Sequence, residues 1–296
     1  MLNRKSIERA LAKYVVHKDP LVEAMIRELG PVLLKAADLA KANATDVPAL
    51  SAEEKRAVRA SETTLLATHP VVIAPEAFAA VAEALAEEYS SAKFPGLPSI
   101  EVDWTQYATP ELMALAGSTP QAYFDRLLDA FGDDALFNVF VSTVLSYTLR
   151  VFLDPMATQW SRDLANVTDE ELRENRPLHC PICGEEGAIA SVSETTANGA
   201  RKKLHCLQCG GSWLFERIRC AHCGATAASD LSYVHDADDD AHRLHVCKAC
   251  GSVTPTVFAG DELAFNADVE TIAMLGLEDM VEREQAQKED DAAGLN

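Results

Sequence analysis

Through the first 175 residues apolar side chains recur every three to four positions, a spacing that predicts helices. Ile7, Leu11, Tyr14 and Val15 mark one helical face, Val22, Met25, Ile26 and Leu29 a second, and Phe78, Val81, Ala82, Leu85 and Tyr89 a third. Start and stop signals accompany the pattern. Pro75 opens "APEAFAAVAEALAEEYS" at a first-turn position, and Thr119 with Pro120 opens a segment that Gly132 ends. Gly30 and Pro31 predict a break or kink in the second helix, because proline has no amide hydrogen and crowds the turn before it. The most apolar run, 135–153, carries Asn138, Ser142, Thr143, Ser146, Thr148 and Arg150, so it predicts a buried core helix and no membrane insertion. Thr168 and Glu171 have the spacing of a capping box for a last short helix ending near Pro177.

Past residue 175 the pattern changes to glycine, polar residues and short alternating runs such as "AIASVSE" and "LSYVH", which predict strands and turns. Helical spacing returns at Val269, Ile272, Ala273, Leu277 and Met280, followed by a charged tail expected to fray. The predicted class is α+β: an all-α N-terminal domain, two tandem metal modules and a C-terminal helix. The expected boundaries are 1–175, 176–214, 215–260 and 261–296.

Charge and length narrow the functional classes. The 296 residues carry a formal net charge of -20, which argues against general binding to nucleic acid or anionic membranes. The beginning of the chain interleaves charges with apolar residues instead of presenting a secretory hydrophobic run, so a cytoplasmic protein is expected. In that compartment paired cysteines hold metal or do redox chemistry more often than they form disulfides.

All eight cysteines fall into CxxC pairs: Cys180/Cys183, Cys206/Cys209, Cys220/Cys223 and Cys247/Cys250. A glycine follows each pair, at Gly184, Gly210, Gly224 and Gly251. A redox pair alone does not require that glycine, whereas a knuckle turning beneath an ion needs a residue free to take positive φ. Cys180 to Cys220 is a step of 40 residues and Cys206 to Cys247 a step of 41, so the region reads as a duplicated unit. Duplication of a whole unit pairs the first CxxC with the second and the third with the fourth, giving two tetrahedral four-cysteine sites for iron or zinc. An interleaved arrangement is the alternative. Eight thiolates complete two such sites, so His179, His205, His222, His235, His242 and His245 are not needed as ligands. "HDADDDAHR" lacks the glycine and spaced glutamate of a calcium loop and reads as a solvated turn.

These motifs resemble the FdhE-type formate dehydrogenase accessory proteins. The likeness is carried by CPxCG at Cys180 to Gly184, by HCxxCGxxW from His205 to Trp213, and by Trp213, Arg217 and Arg219 leading into Cys220. After the fourth pair the family usually has tyrosine, leucine and lysine, whereas this chain has Val253, Thr254 and Pro255. The helical half matches in general character only. The resemblance implies rubredoxin-like modules, iron as a suitable metal, and a non-enzymatic maturation factor that binds the formate dehydrogenase catalytic subunit in the cytoplasm. Three other classes compete: a rubredoxin-like electron carrier, a nucleic-acid-binding zinc ribbon built on Arg201, Lys202, Lys203, Trp213, Arg217 and Arg219, which the net charge disfavours, and a thiol oxidoreductase, which the four-fold glycine pattern and the lack of a thioredoxin-like βαβ context disfavour. No catalytic motif is present to favour an enzyme, and a homo-oligomer is compatible with the sequence.

Overall fold

Helix starts follow the caps written in the sequence. Asn3, Asp19, Ser51, Thr109 and Asp134 each accept a hydrogen bond from a first-turn amide, opening α1 (Arg4–Lys13), α2 (Pro20–Ala42), α3 (Ala52–Arg59), α6 (Pro110–Ser118) and α8 (Ala135–Ala165). Between them lie α4 (Leu65–Thr68), α5 (Pro75–Ser91) and α7 (Pro120–Leu128). A ninth helix, α9, covers 267–277. The computed structural model describes residues 2–91, 101–128, 131–166, 176–195, 199–236, 238–259 and 262–277. The short helix expected around Thr168 and the charged tail lie outside them.

Two helices run further than the sequence suggests. The break expected at Gly30 and Pro31 does not occur, since α2 continues through both. Pro31 is on the exposed face, where water can satisfy the carbonyl it leaves unpaired. On the buried face Val22, Ile26 and Leu29 before it and Val32, Leu33, Ala36 and Ala40 after it hold both halves in one core. Similarly, α8 passes through Pro155 to Ala165, and Trp160 and Leu164 extend its buried face well beyond residue 153. With Arg150 and Asp154 buried among its apolar residues, α8 is the helix around which α2 and α5 pack, as expected of a core helix.

Six strands follow: β1 (Ile189–Thr195), β2 (Gly199–His205), β3 (Ser212–Phe215), β4 (Leu231–Val234), β5 (His242–Cys247) and β6 (Val253–Phe258). Each copy of the repeat forms a three-stranded antiparallel unit, β1-β2-β3 and β4-β5-β6. The units do not stand apart. Parallel pairing of Ala190, Ser191 and Val192 with Thr256, Val257 and Phe258 fuses them into one sheet of order β3-β2-β1-β6-β5-β4.

The core is likewise continuous across the expected boundary near residue 175. Leu65, Leu66, Leu149 and Leu153 share one apolar cluster with Ile182, Leu204 and Trp213. A second cluster, with Ile189, Leu244 and Val257, lies between the sheet and α9. The helix α9 bridges the two, placing Val269, Ile272 and Ala273 in the first and Met274 and Leu277 in the second.

Candidate metal centres

Each CxxC turns through the same backbone pattern. The glycine amide donates to the carbonyl of the first cysteine in all four knuckles, Gly184 to Cys180 (2.8 Å), Gly210 to Cys206 (3.0 Å), Gly224 to Cys220 (3.1 Å) and Gly251 to Cys247 (2.8 Å). The first cysteine's own amide donates to the residue after the glycine, as Cys180 does to Glu185 (2.7 Å) and Cys247 to Ser252 (2.9 Å). Closing this loop requires the left-handed region, and the four glycines take φ of +75° to +89°. Freed amides point at sulfur: Gly211 donates to Cys209 Sγ and His222 to Cys220 Sγ, both at 3.4 Å.

The hairpin strands then bring knuckles together two by two, in the order that the duplication implies. Cys180, Cys183, Cys206 and Cys209 form one set and Cys220, Cys223, Cys247 and Cys250 the other, with all sulfurs of a set within 4.8 Å of one another. Cys180 and Cys209 sulfurs are 3.7 Å apart and those of Cys183 and Cys206 3.5 Å; in the second set both corresponding separations are 3.8 Å. A tetrahedron with metal–sulfur bonds of about 2.3 Å has an edge of about 3.8 Å, so each set fits one four-coordinate ion. A disulfide would need about 2.05 Å, and none is formed.

The electrostatics of the first set point the same way. Hydrogen bonds from the Cys180 and Cys183 thiols hold Cys206 well below the ordinary thiol range. The thiol of Cys180 and the neighbouring sulfurs hold Cys183 well above it. Four packed sulfurs cannot all ionise against one another in a buried place, and a cation at the centre removes that conflict. Among the described residues no histidine joins either set.

The surroundings of the two sets differ. The first is sealed against the helices: α4 donates its Leu65 and Leu66 amides to the Pro181 and Ile182 carbonyls (3.0 and 2.9 Å), and Arg150 donates to the Leu207 carbonyl inside the second knuckle (3.1 Å). That guanidinium is itself fixed by a bidentate pair with Asp268 of α9 (2.6 and 3.0 Å). In the second set Cys223 and Cys250 are exposed.

The aromatic and basic residues of the motif have structural partners. The Trp213 indole donates to the Pro177 carbonyl (2.9 Å), and Arg219 donates to the Arg176 carbonyl (2.7 Å) and pairs with Glu216. Together they clamp the chain as it enters the first knuckle. Of the basic run Arg201 to Lys203 in β2, Lys202 is buried against His245, and burial lowers its pKa to about 8, so it does not belong to an exposed basic surface. Nor is "HDADDDAHR" only a solvated turn. Asp236 pairs with Lys18 (2.5 Å), and Asp239 binds His242 (2.8 Å). His242 in turn meets Glu270 at 3.1 Å, and that fully buried carboxylate also accepts from Lys13 (2.9 Å) and Tyr14. Of the buried charges that hold α9 in place, Arg150 is visible in the sequence as a charge inside an apolar run, whereas its partner Asp268 and the Glu270 that meets His242 carry no such signal.

No family model matches the chain. It is 24% identical over 152 residues to a protein named FdhE homolog from Aquifex aeolicus, covering 51% of this chain and 49% of that protein. A protein of the same name from Yersinia pestis is 28% identical over 155 residues, with the same coverage, and one from Pectobacterium carotovorum is 29% identical over 106 residues, covering 36% and 33%. The chain thus spans about half the length of the curated relatives it matches, or less. Its fold matches the crystal structure of the FdhE protein from Pseudomonas aeruginosa with a TM-score of 0.58, over 96% of this chain and 91% of that one, at 18% identity. Homologues of that name and a shared fold support the FdhE family for this chain, as its knuckle motifs lead one to expect.

Proposed function

We propose that the chain is a formate dehydrogenase accessory protein, without catalytic activity of its own, that binds the enzyme's catalytic subunit in the cytoplasm through its metal knuckles. In this reading each four-cysteine set holds one iron or zinc ion, and residues 1–175, 176–214, 215–260 and 261–296 act as scaffold, first module, second module and closing helix. A bound ion supplies the cross-link between two knuckles and, if it is iron, a one-electron couple. The observation that carries the proposal is the contrast between the sets. The first is built into the core as a brace, while the second leaves Cys223, Cys250 and the small residues around them at the surface, where a partner can reach them.

That same exposure favours a second reading, electron transfer, because a sulfur at the surface shortens the path to a redox partner. Visible absorption of protein purified without air separates the two, since ferric tetrathiolate is coloured and zinc is not. The decisive experiment is an anaerobic pull-down of the catalytic subunit by native protein and by Cys206→Ala and Cys220→Ala variants, with elemental analysis of each and formate oxidation in cells lacking the native protein. Two ions per chain, one lost in each variant, and failed capture by Cys220→Ala are expected. Variants that lack their ion yet capture the subunit and restore formate oxidation at native levels would refute the proposal.

A further inference from the structure

The chain has 46 acidic side chains against 26 Lys and Arg, yet one cavity of about 490 Å³ reverses that balance. It lies between α1, the end of α2, α8 and the stretch leading into α9. Lys5 and Arg9 line it from one face of α1, Lys41 from α2 and Arg162 from α8. All four are exposed, and none has a carboxylate partner among the described residues. Nearby acids are already engaged. Glu8 and Asp38 both bind Arg4, at 2.9 and 2.5 Å. Asp154, the one acidic residue in the wall, accepts from the Leu2 amide (2.8 Å) and the Thr158 hydroxyl (3.0 Å) and faces Arg150 at 3.6 Å.

Four unpaired cations converging on a concavity repel one another, and in so acidic a chain random surface would have placed carboxylates among them. A cleft with apolar walls also focuses their field outward, toward an incoming anion. The start of α1 opens on the same space, so its dipole adds to the positive potential. Three different helices supply the charges, which suits an anion with several charged groups better than a single carboxylate. The remaining wall is largely apolar, with Leu2, Pro155 and Phe265, so the ligand has an uncharged organic part as well. The volume is that of a small-molecule site.

We propose that this cavity binds a nucleotide-sized phosphate ester. Lys5, Arg9, Lys41 and Arg162 hold its di- or triphosphate, the arginines through paired N–H donors, and the nucleoside rests on Leu2, Pro155 and Phe265. His205, which precedes Cys206, is in the same wall, so a bound ligand sits directly beside the second knuckle, in the first metal set.

The test is calorimetric titration of the full metal-loaded chain with ADP, alongside adenosine, pyrophosphate and a poly-glutamate peptide. ADP is expected to bind, with pyrophosphate competing and adenosine weaker by at least about tenfold. Lys5→Ala/Arg9→Ala should weaken ADP by at least about tenfold and reduce the salt dependence of binding, while Lys55→Ala on α3 leaves both unchanged. Circular dichroism melts should stay the same, because the altered side chains are exposed and unpaired. Absence of ADP binding at millimolar concentration, equal binding by the double variant, or capture of the peptide with no competition from ADP would overturn the proposal.

Discussion

The Arg150–Asp268 pair offers the sharpest test of how the helices support the first metal set. Both side chains are almost wholly buried, at 2% and 3% exposure, so solvent screening does little to weaken their attraction. Replacing Asp268 by Asn leaves a buried guanidinium with Asp154 at 3.6 Å and the Leu207 carbonyl at 3.1 Å as its remaining partners. Breaking a buried pair from one side costs about 3 to 5 kcal/mol, and the surviving contacts argue for the lower end, about 3 kcal/mol. At about 2 to 4 °C per kcal/mol this lowers Tm by about 6 to 12 °C. Replacing both partners, Arg150→Met with Asp268→Leu, removes the buried guanidinium, and Asp154, though it loses Arg150, keeps the Leu2 amide and the Thr158 hydroxyl as donors, so the double replacement should cost less than Asp268→Asn alone. It also frees the Leu207 carbonyl. In a Cys220→Ala background, where only the first set remains complete, chelator should then strip the ion faster than from Cys220→Ala alone. A Tm shift for Asp268→Asn below about 2 °C, or a double replacement worse than the single one, would refute the reasoning.

Two further outcomes follow from the same geometry. Gly210→Ala and Gly251→Ala both force a side chain into positive φ, at about 1 to 2 kcal/mol. A Cβ at Gly210 would also fall 2.0 Å from Asp154 Oδ1, whereas at Gly251 nothing lies within 4 Å, so thermal melts and ion content should show much the larger loss for Gly210→Ala. The Asp239–His242–Glu270 cluster that ties β5 to α9 should give a stability maximum in acid. Burial opposes the charge on His242, but the Glu270 hydrogen bond and the fields of Asp239 and Glu270 outweigh it and raise its pKa. Burial likewise opposes Glu270 and Asp239, whose bonds to His242 and neighbours nonetheless lower theirs. The histidine contribution is complete below about pH 6.5 and is lost as pH rises through the folded value; the carboxylate contributions are complete above about pH 4.5 and are lost as pH falls through theirs. Melts of His242→Gln across this range should lose the alkaline limb, and an unchanged profile would count against the cluster.

What the sequence makes legible is whatever its local chemistry determines. Capping residues and three-to-four spacing announce the helices, and CxxCG announces the knuckles, because a turn under an ion and a helix start each need particular side chains within a few positions. Parallel pairing of β1 with β6 has no such signal, since Ala190 to Val192 and Thr256 to Phe258 are ordinary strand residues whose meeting depends on the whole chain. The continuity of α2 is hidden for the same reason: local propensity argues against Pro31, and tertiary packing on the opposite face prevails. Charges inside α9 read as surface residues until Arg150 and His242 are found opposite them.

The contrast between the two metal sets follows from this division. Duplication gives both copies the same set of cysteines, the same glycines and the same hairpins, so nothing within the repeat distinguishes a brace from an exposed knuckle. The difference comes from outside it. Leu65 and Leu66 of α4 close over Pro181 and Ile182, and Asp154 of α8 presses on Gly210, while Gly251 in the second copy meets open space. An ion held by the first set would therefore have its affinity coupled to the stability of the helical core, because opening the site means parting α4 and α8 from the knuckles as well as breaking bonds to sulfur. In the second set the sulfurs and their backbone amides carry more of the retention, so substitutions in α4 or α8 should change ion loss from the first set and leave that from the second nearly untouched.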